Sequence, residues 1–183
     1  RLIQLTNGTN EELRARLSTL TERDQYYRRQ MADIARDEGW SSPVIRELHG
    51  LQRELDSLNL IELGYIIKEH GYPGRSLVGN QGSAAIYIIQ RADLATQQAY
   101  YPLLQTAAEE YELLRSEFAI LTDKMRMAQA LPQVYGTQVI RTANGMLDFY
   151  SIENEAEVEA LRREMGLMPL VEYAKRVGIT LKN

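Results

Sequence analysis

The stretch YYPLLQTAAEEYELLRSEFAILTDKM, residues 100–125, decides the fold. Within it Tyr100, Leu104, Ala107, Tyr111, Leu114, Phe118, Leu121 and Met125 step alternately by four and three without a miss. That is the period of an α-helix carrying one apolar seam. Pro102 falls at the start, where a missing N–H is tolerated. The spacing predicts one long central helix whose whole seam, Leu114 included, is core, because short seams usually pack within their own chain.

N-terminal to this helix the signals are also helical. Asn10 is placed to cap a helix that starts with Glu11 and Glu12, acids that suit its positive end. Leu13, Leu17 and Leu20, then Met31 and Ile34, carry the helical step towards Gly39. Ser42-Pro43 opens the next helix with Pro at N1. Asp56 to Asn59 reads as a corner, with Asn59 capping Leu60–Ile67 and Gly71 ending that segment. Gly71 to Gly82 holds four of the 12 glycines and reads as a structural connector. It lacks the Gly-Lys-Ser/Thr ending of a phosphate loop. The apolar run Ala84–Ile89 is predicted as a buried helix.

C-terminal to Pro132 the composition turns to β-formers. Asn144-Gly145 is a strong hairpin signal. A two-residue turn there would pair Ala143 with Met146, Arg141 with Asp148 and Ile140 with Phe149, setting opposite charges across the strands. Asn154-Glu155-Ala156-Glu157 resembles a capping box. Gly166 stops that helix, and Pro169 opens a last one ending near Gly178. The expected fold is mainly α, about seven helices around one long central helix, with a single β-hairpin in the C-terminal third. Residues 1–9 are expected to be a flexible lead-in and residues 10–183 a single mostly helical domain.

Composition bounds the chemistry. The 183 residues are 44% hydrophobic with a net charge of −4, which excludes wholesale disorder. A pI near 5.3 argues against a dedicated nucleic-acid binder. No run of 18 apolar residues is present, so no membrane insertion is expected. Zero cysteines remove disulfides, thiolate metal sites and thiol catalysis. His49 and His70 are isolated from each other and from metal-ligand spacing, so neither a metal nor a cofactor is expected. The chain begins at Arg1, which favours a periplasmic or secreted bacterial origin over a cytoplasmic one.

Several polar residues stand out. Asp123 has Ala119, Ile120 and Met127 as its helical neighbours, and a carboxylate on such a stripe is either buried and paired or placed for use. The block Gln133-Val-Tyr135-Gly-Thr137-Gln138 follows a short connection later. Asp123 is therefore expected to be buried and hydrogen-bonded to this block, or to Arg28 or Arg91. Asp24 and Arg28 stand at i and i+4. Gln90-Arg91-Ala92-Asp93 ends the most apolar segment, where Asp93 is placed either to cap the next helix or to line a cleft.

Together these stretches resemble a bacterial family of unknown function. The matching pieces are Asp24-Gln25 with Arg28, Asp56 with Asn59, Gly71-Tyr72-Pro73, Gln90-Arg91-Ala92-Asp93, Asp123-Lys124, Gln133 to Gln138, and Gly166 to Leu170 with Tyr173. The family pattern has His where this chain has Arg91 and Arg where it has Lys124. An imidazole can act as a general base near neutral pH and a guanidinium cannot. The resemblance implies positions, not a reaction.

Two functions follow as expectations. One is a polar cleft that binds or processes a small polar or anionic ligand. It would have Asp123 or Asp93 as acid/base and Asp24, Arg28, Gln90, Arg91, Gln133, Tyr135, Thr137 and Gln138 as binding candidates. The other is a noncatalytic envelope module that binds another protein through helix faces or the hairpin edge.

Overall fold

Two 28-residue helices, α1 (Glu11–Glu38) and α2 (Pro43–His70), set the frame of the first half of the chain. The structure, a computed structural model, describes residues 10–179, and the expected lead-in at 1–9 lies outside the described residues. The Asn10 side chain accepts from the Leu13 N–H at 2.9 Å and so starts α1 as its sequence predicts. Gly39 and Gly71, at φ +80° and +72°, end α1 and α2. The turn between the two helices exposes Trp40, at 69% of its full surface.

The chain divides into two compact units, Arg1–Leu113 and Leu114–Asn183. In the first, α1 and α2 run antiparallel, and Leu13, Leu17, Leu20, Ile45, Leu63 and Ile66 are buried. A one-turn helix α3 (Arg75–Val78) and a 3₁₀ turn (Gly79–Gly82) lead into α4 (Ser83–Ile89). Five of the seven α4 residues are buried, so the apolar run is the helix expected of it. Asp93 then caps α5 (Leu94–Glu109), accepting from the Thr96 N–H at 2.8 Å.

The second unit holds α6 (Arg115–Ala128), a hairpin of β1 (Val139–Arg141) and β2 (Leu147–Phe149), α7 (Val158–Glu164) and α8 (Leu170–Val177). Its buried apolar residues include Phe118, Leu121, Met125, Val158, Met165 and Ala174. Among the described residues the fold is mainly α, with seven helices longer than α3 and one antiparallel hairpin.

Four local expectations are corrected. The seam of residues 100–125 is two helices, not one. Tyr111 takes φ +61°, and the N–H groups of Glu112 and Leu113 both donate to the Ala107 carbonyl. Glu112 is thereby turned onto the glycine loop, where its carbonyl accepts from Arg75 N and its carboxylate from Ser76 N. Leu104, Phe118, Leu121 and Met125 keep their core places, but Tyr111 and Leu114 are exposed and Leu113 is buried instead.

Nor is there a corner at Asp56–Asn59, because α2 runs through it. The Asn59 amide does not cap its own helix. It donates to the Leu20 carbonyl of α1 at 2.9 Å.

The hairpin is shifted by one residue: Val139 faces Phe149, Ile140 faces Asp148 and Arg141 faces Leu147. Thr142 N donates to the Met146 carbonyl and Gly145 N to the Thr142 carbonyl, so the turn holds three residues with Gly145 at φ +81°. The Thr142 hydroxyl bonds Asn144 Oδ1 and the Met146 carbonyl, which fixes the longer turn. Arg141 donates to the Gly145 carbonyl rather than to Asp148. The stretch Asn154–Glu157 is likewise a turn, and α7 begins only at Val158.

Candidate functional site

Charged groups that start 28 and 67 residues apart meet in the first unit. Arg28 on α1 donates through Nη1 and Nη2 to both oxygens of Asp56 on α2, at 2.9 and 2.6 Å. This fork-to-fork geometry is the strong form of an ion pair. Nη1 also reaches Asp24 Oδ1 at 3.1 Å. Arg91, just past α4, brings its Nε to the same oxygen at 3.2 Å, while Gln25 Nε2 donates to Asp24 Oδ2 at 2.6 Å. Asp24 is buried, so these donors stand in for the water its carboxylate gives up on folding.

Gln52 completes the cluster. Its Nε2 donates to Asp56 Oδ1 at 2.8 Å, and its Oε1 accepts from the Tyr27 N–H. Gln52 and Asn59 lie seven residues apart on α2 and both plug into the α1 backbone, which fixes the register of the helix pair.

Beside this cluster opens a cleft of about 270 Å³. Leu60, Ile88 and Ala92 give it apolar walls, and Arg53, Asp56, Ser57, Arg91, Asp93 and Thr96 supply the polar groups. Asp93 is held below the usual carboxylate range by the Thr96 N–H and hydroxyl, so it stands ionised at the cleft edge. Gln90 closes α4, and its carbonyl accepts from Gln97 Nε2.

The second unit gathers the other candidates. Asp123 on α6 has no exposed surface and accepts from Val134 N, Tyr135 N, Thr137 N and the Thr137 hydroxyl, at 2.7 to 3.2 Å. Its expected burial and bonding to the block therefore hold, with backbone donors as partners. Gln133 is fully buried: Nε2 donates to the carbonyls of Gln138 and Tyr150, and Oε1 accepts from Gln138 N. The Gln138 amide in turn donates to the Thr137 hydroxyl.

Gly136 sits at φ +65°, and a Cβ there would lie 2.8 Å from Leu170 Cδ1. Only glycine fits that bend. On its far side Arg162, 1% exposed, donates to the carbonyls of Tyr135, Gly136 and Met168 and lies 5.2 Å over the Tyr173 ring. Burial lowers the guanidinium pKa against the opposing charge of Glu159. The loop is thus clamped between a buried anion that takes its N–H groups and a buried cation that takes its carbonyls.

The candidates therefore fall into two groups. Asp24, Arg28, Gln90, Arg91 and Asp93 belong to the first unit, and Asp123, Gln133, Tyr135, Thr137 and Gln138 to the second. Sequence reasoning did not single out Arg53, Gln52 or Arg162. Arg162 carried a readable signal, because its helical neighbours Val158 and Met165 are apolar and buried. Among the described residues no group of three His, Asp or Glu side chains could hold a metal ion, and no helix is long and apolar enough to cross a membrane.

No curated protein and no solved structure matches this chain. The sequence model of a family of unknown function, DUF6624, matches residues 11–180, which is nearly the whole length, and the chain belongs to that family.

Proposed function

We propose that the first unit binds a small anionic ligand in the cleft beside the Asp24–Arg28–Asp56 cluster, with Arg53 and Arg91 as its donors. The observation that carries this is an imbalance of hydrogen bonding. The carboxylates are supplied: Asp56 accepts from Arg28 and Gln52, and Asp93 from Thr96. The cations are not. Among the described residues Arg91 uses only Nε, and the Arg53 guanidinium has no hydrogen bond or ion pair. Guanidinium groups with free terminal nitrogens on a partly apolar cleft suit a planar carboxylate or a phosphate monoester. Of the other charges around the cleft, Asp56 is paired with Arg28, while Asp93 keeps a negative charge held by Thr96, which favours one modest anion over a polyanion.

A thermal-shift series with small carboxylates, inorganic phosphate and neutral analogues tests the reading. Anions should raise the melting temperature by mass action and neutral analogues should not. Arg53 is exposed, so Arg53→Ala should fold normally and lose the shift. Equal shifts in Arg53→Ala and the unsubstituted chain would overturn the assignment.

A further inference from the structure

Helix α2 carries two rows of residues spaced by seven, and its own unit uses only one. Ile45, Gln52, Asn59 and Ile66 form the inner row, each at most 2% exposed. Val44, Leu51, Leu58 and Tyr65 form the outer row, 38 to 66% exposed, and Ile61 beside them is 57% exposed. Single exposed apolar residues need no explanation, but a collinear row along a helix about 42 Å long does. A strict seven-residue row also stays in line when two helices wrap round each other with a left-handed twist.

We propose that a second copy of this chain covers the outer row, the two α2 helices pairing antiparallel about a two-fold axis near Ser57. Charge selects this occupant and this direction. The row next to the apolar one reads Glu47, Glu54, Ile61, Lys68, acidic towards the N-terminus and basic at the C-terminus. Among the described residues Glu47, Glu54 and Lys68 make no ion pair or hydrogen bond through their side chains. Antiparallel pairing about Ser57 sets Glu47 of one copy alongside Lys68 of the other, twice per dimer, as a self-complementary interface requires. It places Leu58 next to the axis. Parallel pairing would set Glu47 against Glu47 and Lys68 against Lys68.

The surface borders the ligand cleft at Ser57, which lines that cleft, but leaves the cleft's Arg53 clear. Arg53 follows Leu51 by two residues and so points about 160° away from the outer row. One helix face per copy lies at the small end of stable interfaces, so the pair should be a concentration-dependent equilibrium and not an obligate dimer.

Sedimentation velocity on the full chain at rising concentration tests this. The expected result is a shift from the 21.0 kDa monomer towards twice that mass in the micromolar range. Leu58→Glu should abolish the shift. Glu47→Lys and Lys68→Glu should each weaken it at least tenfold, and the Glu47→Lys/Lys68→Glu double variant should restore it. A monomer at every concentration, or a dimer indifferent to Leu58→Glu, would overturn the proposal. So would charge effects that merely add in the double variant. All three positions are exposed, and circular dichroism checks that each variant folds.

Discussion

Replacing Asp123 by Asn keeps the shape of the side chain and changes only what it can accept. The amide has one acceptor oxygen where the carboxylate has two. Its best placement keeps oxygen at the Oδ2 position, where Tyr135 N, Thr137 N and the Thr137 hydroxyl converge. The NH₂ then falls at the Oδ1 position, 2.7 Å from Val134 N, so two donors face each other. Leaving that buried N–H unmatched costs about 1–3 kcal/mol. The remaining bonds lose the assistance of a full charge, about another 1–2 kcal/mol. A loss of about 2–5 kcal/mol is a large part of the ~5–15 kcal/mol typical of a folded domain.

Thr137→Ala, which removes one donor and leaves the carboxylate three N–H partners, should cost only about 1 kcal/mol. Urea denaturation followed by far-ultraviolet circular dichroism measures both variants. Amide exchange should speed at Val134 in Asp123→Asn. An Asp123→Asn midpoint equal to that of the unsubstituted chain, with Val134 still protected, would refute the reasoning.

Two further substitutions probe the break after α5. Leu113→Ala should cost on the order of 2–5 kcal/mol, because Leu113 is 2% exposed, whereas Leu114→Ala should cost less than about 1 kcal/mol, because Leu114 is 39% exposed. Denaturation midpoints in the reverse order would restore a single continuous seam. Gly74→Ala would set a Cβ 2.5 Å from Glu112 Cβ, so it should destabilise by about 1–3 kcal/mol and expose the Ser76 N–H to exchange. Wild-type stability in that variant would mean that Glu112 does not dock on the loop.

What the sequence revealed was what neighbours in the chain decide. Asn10, Pro43, Gly71 and Asp93 mark helix ends because a cap or a fixed φ acts within one turn. The burial of Asp123 was readable because Ala119 and Met127, one turn to either side, make its face apolar. What stayed hidden depended on distant partners. The seam of residues 100–125 is faultless as a pattern, yet it breaks where Glu112 meets Gly74 and Ser76, more than thirty residues upstream. Asn59 looks like a cap until the Leu20 carbonyl, 39 residues away, is beside it. The hairpin register turned on one hydroxyl, because Thr142 stabilises a three-residue turn where Asn-Gly alone suggests two residues. The cleft arginine Arg53 resembles any other surface cation in sequence. Only the placement of Arg91 and Asp93 opposite α2 gives it a context.

The position of Trp40 has a spectroscopic consequence. It is the chain's one tryptophan, and it stands in the solvent at the turn between α1 and α2. An indole already surrounded by water emits much the same light before and after the chain unfolds. Its fluorescence should therefore barely register melting and should be quenched by iodide in the native protein almost as readily as in a short peptide. A blue shift on mixing with another molecule would then report contact at that one turn, free of any background from folding.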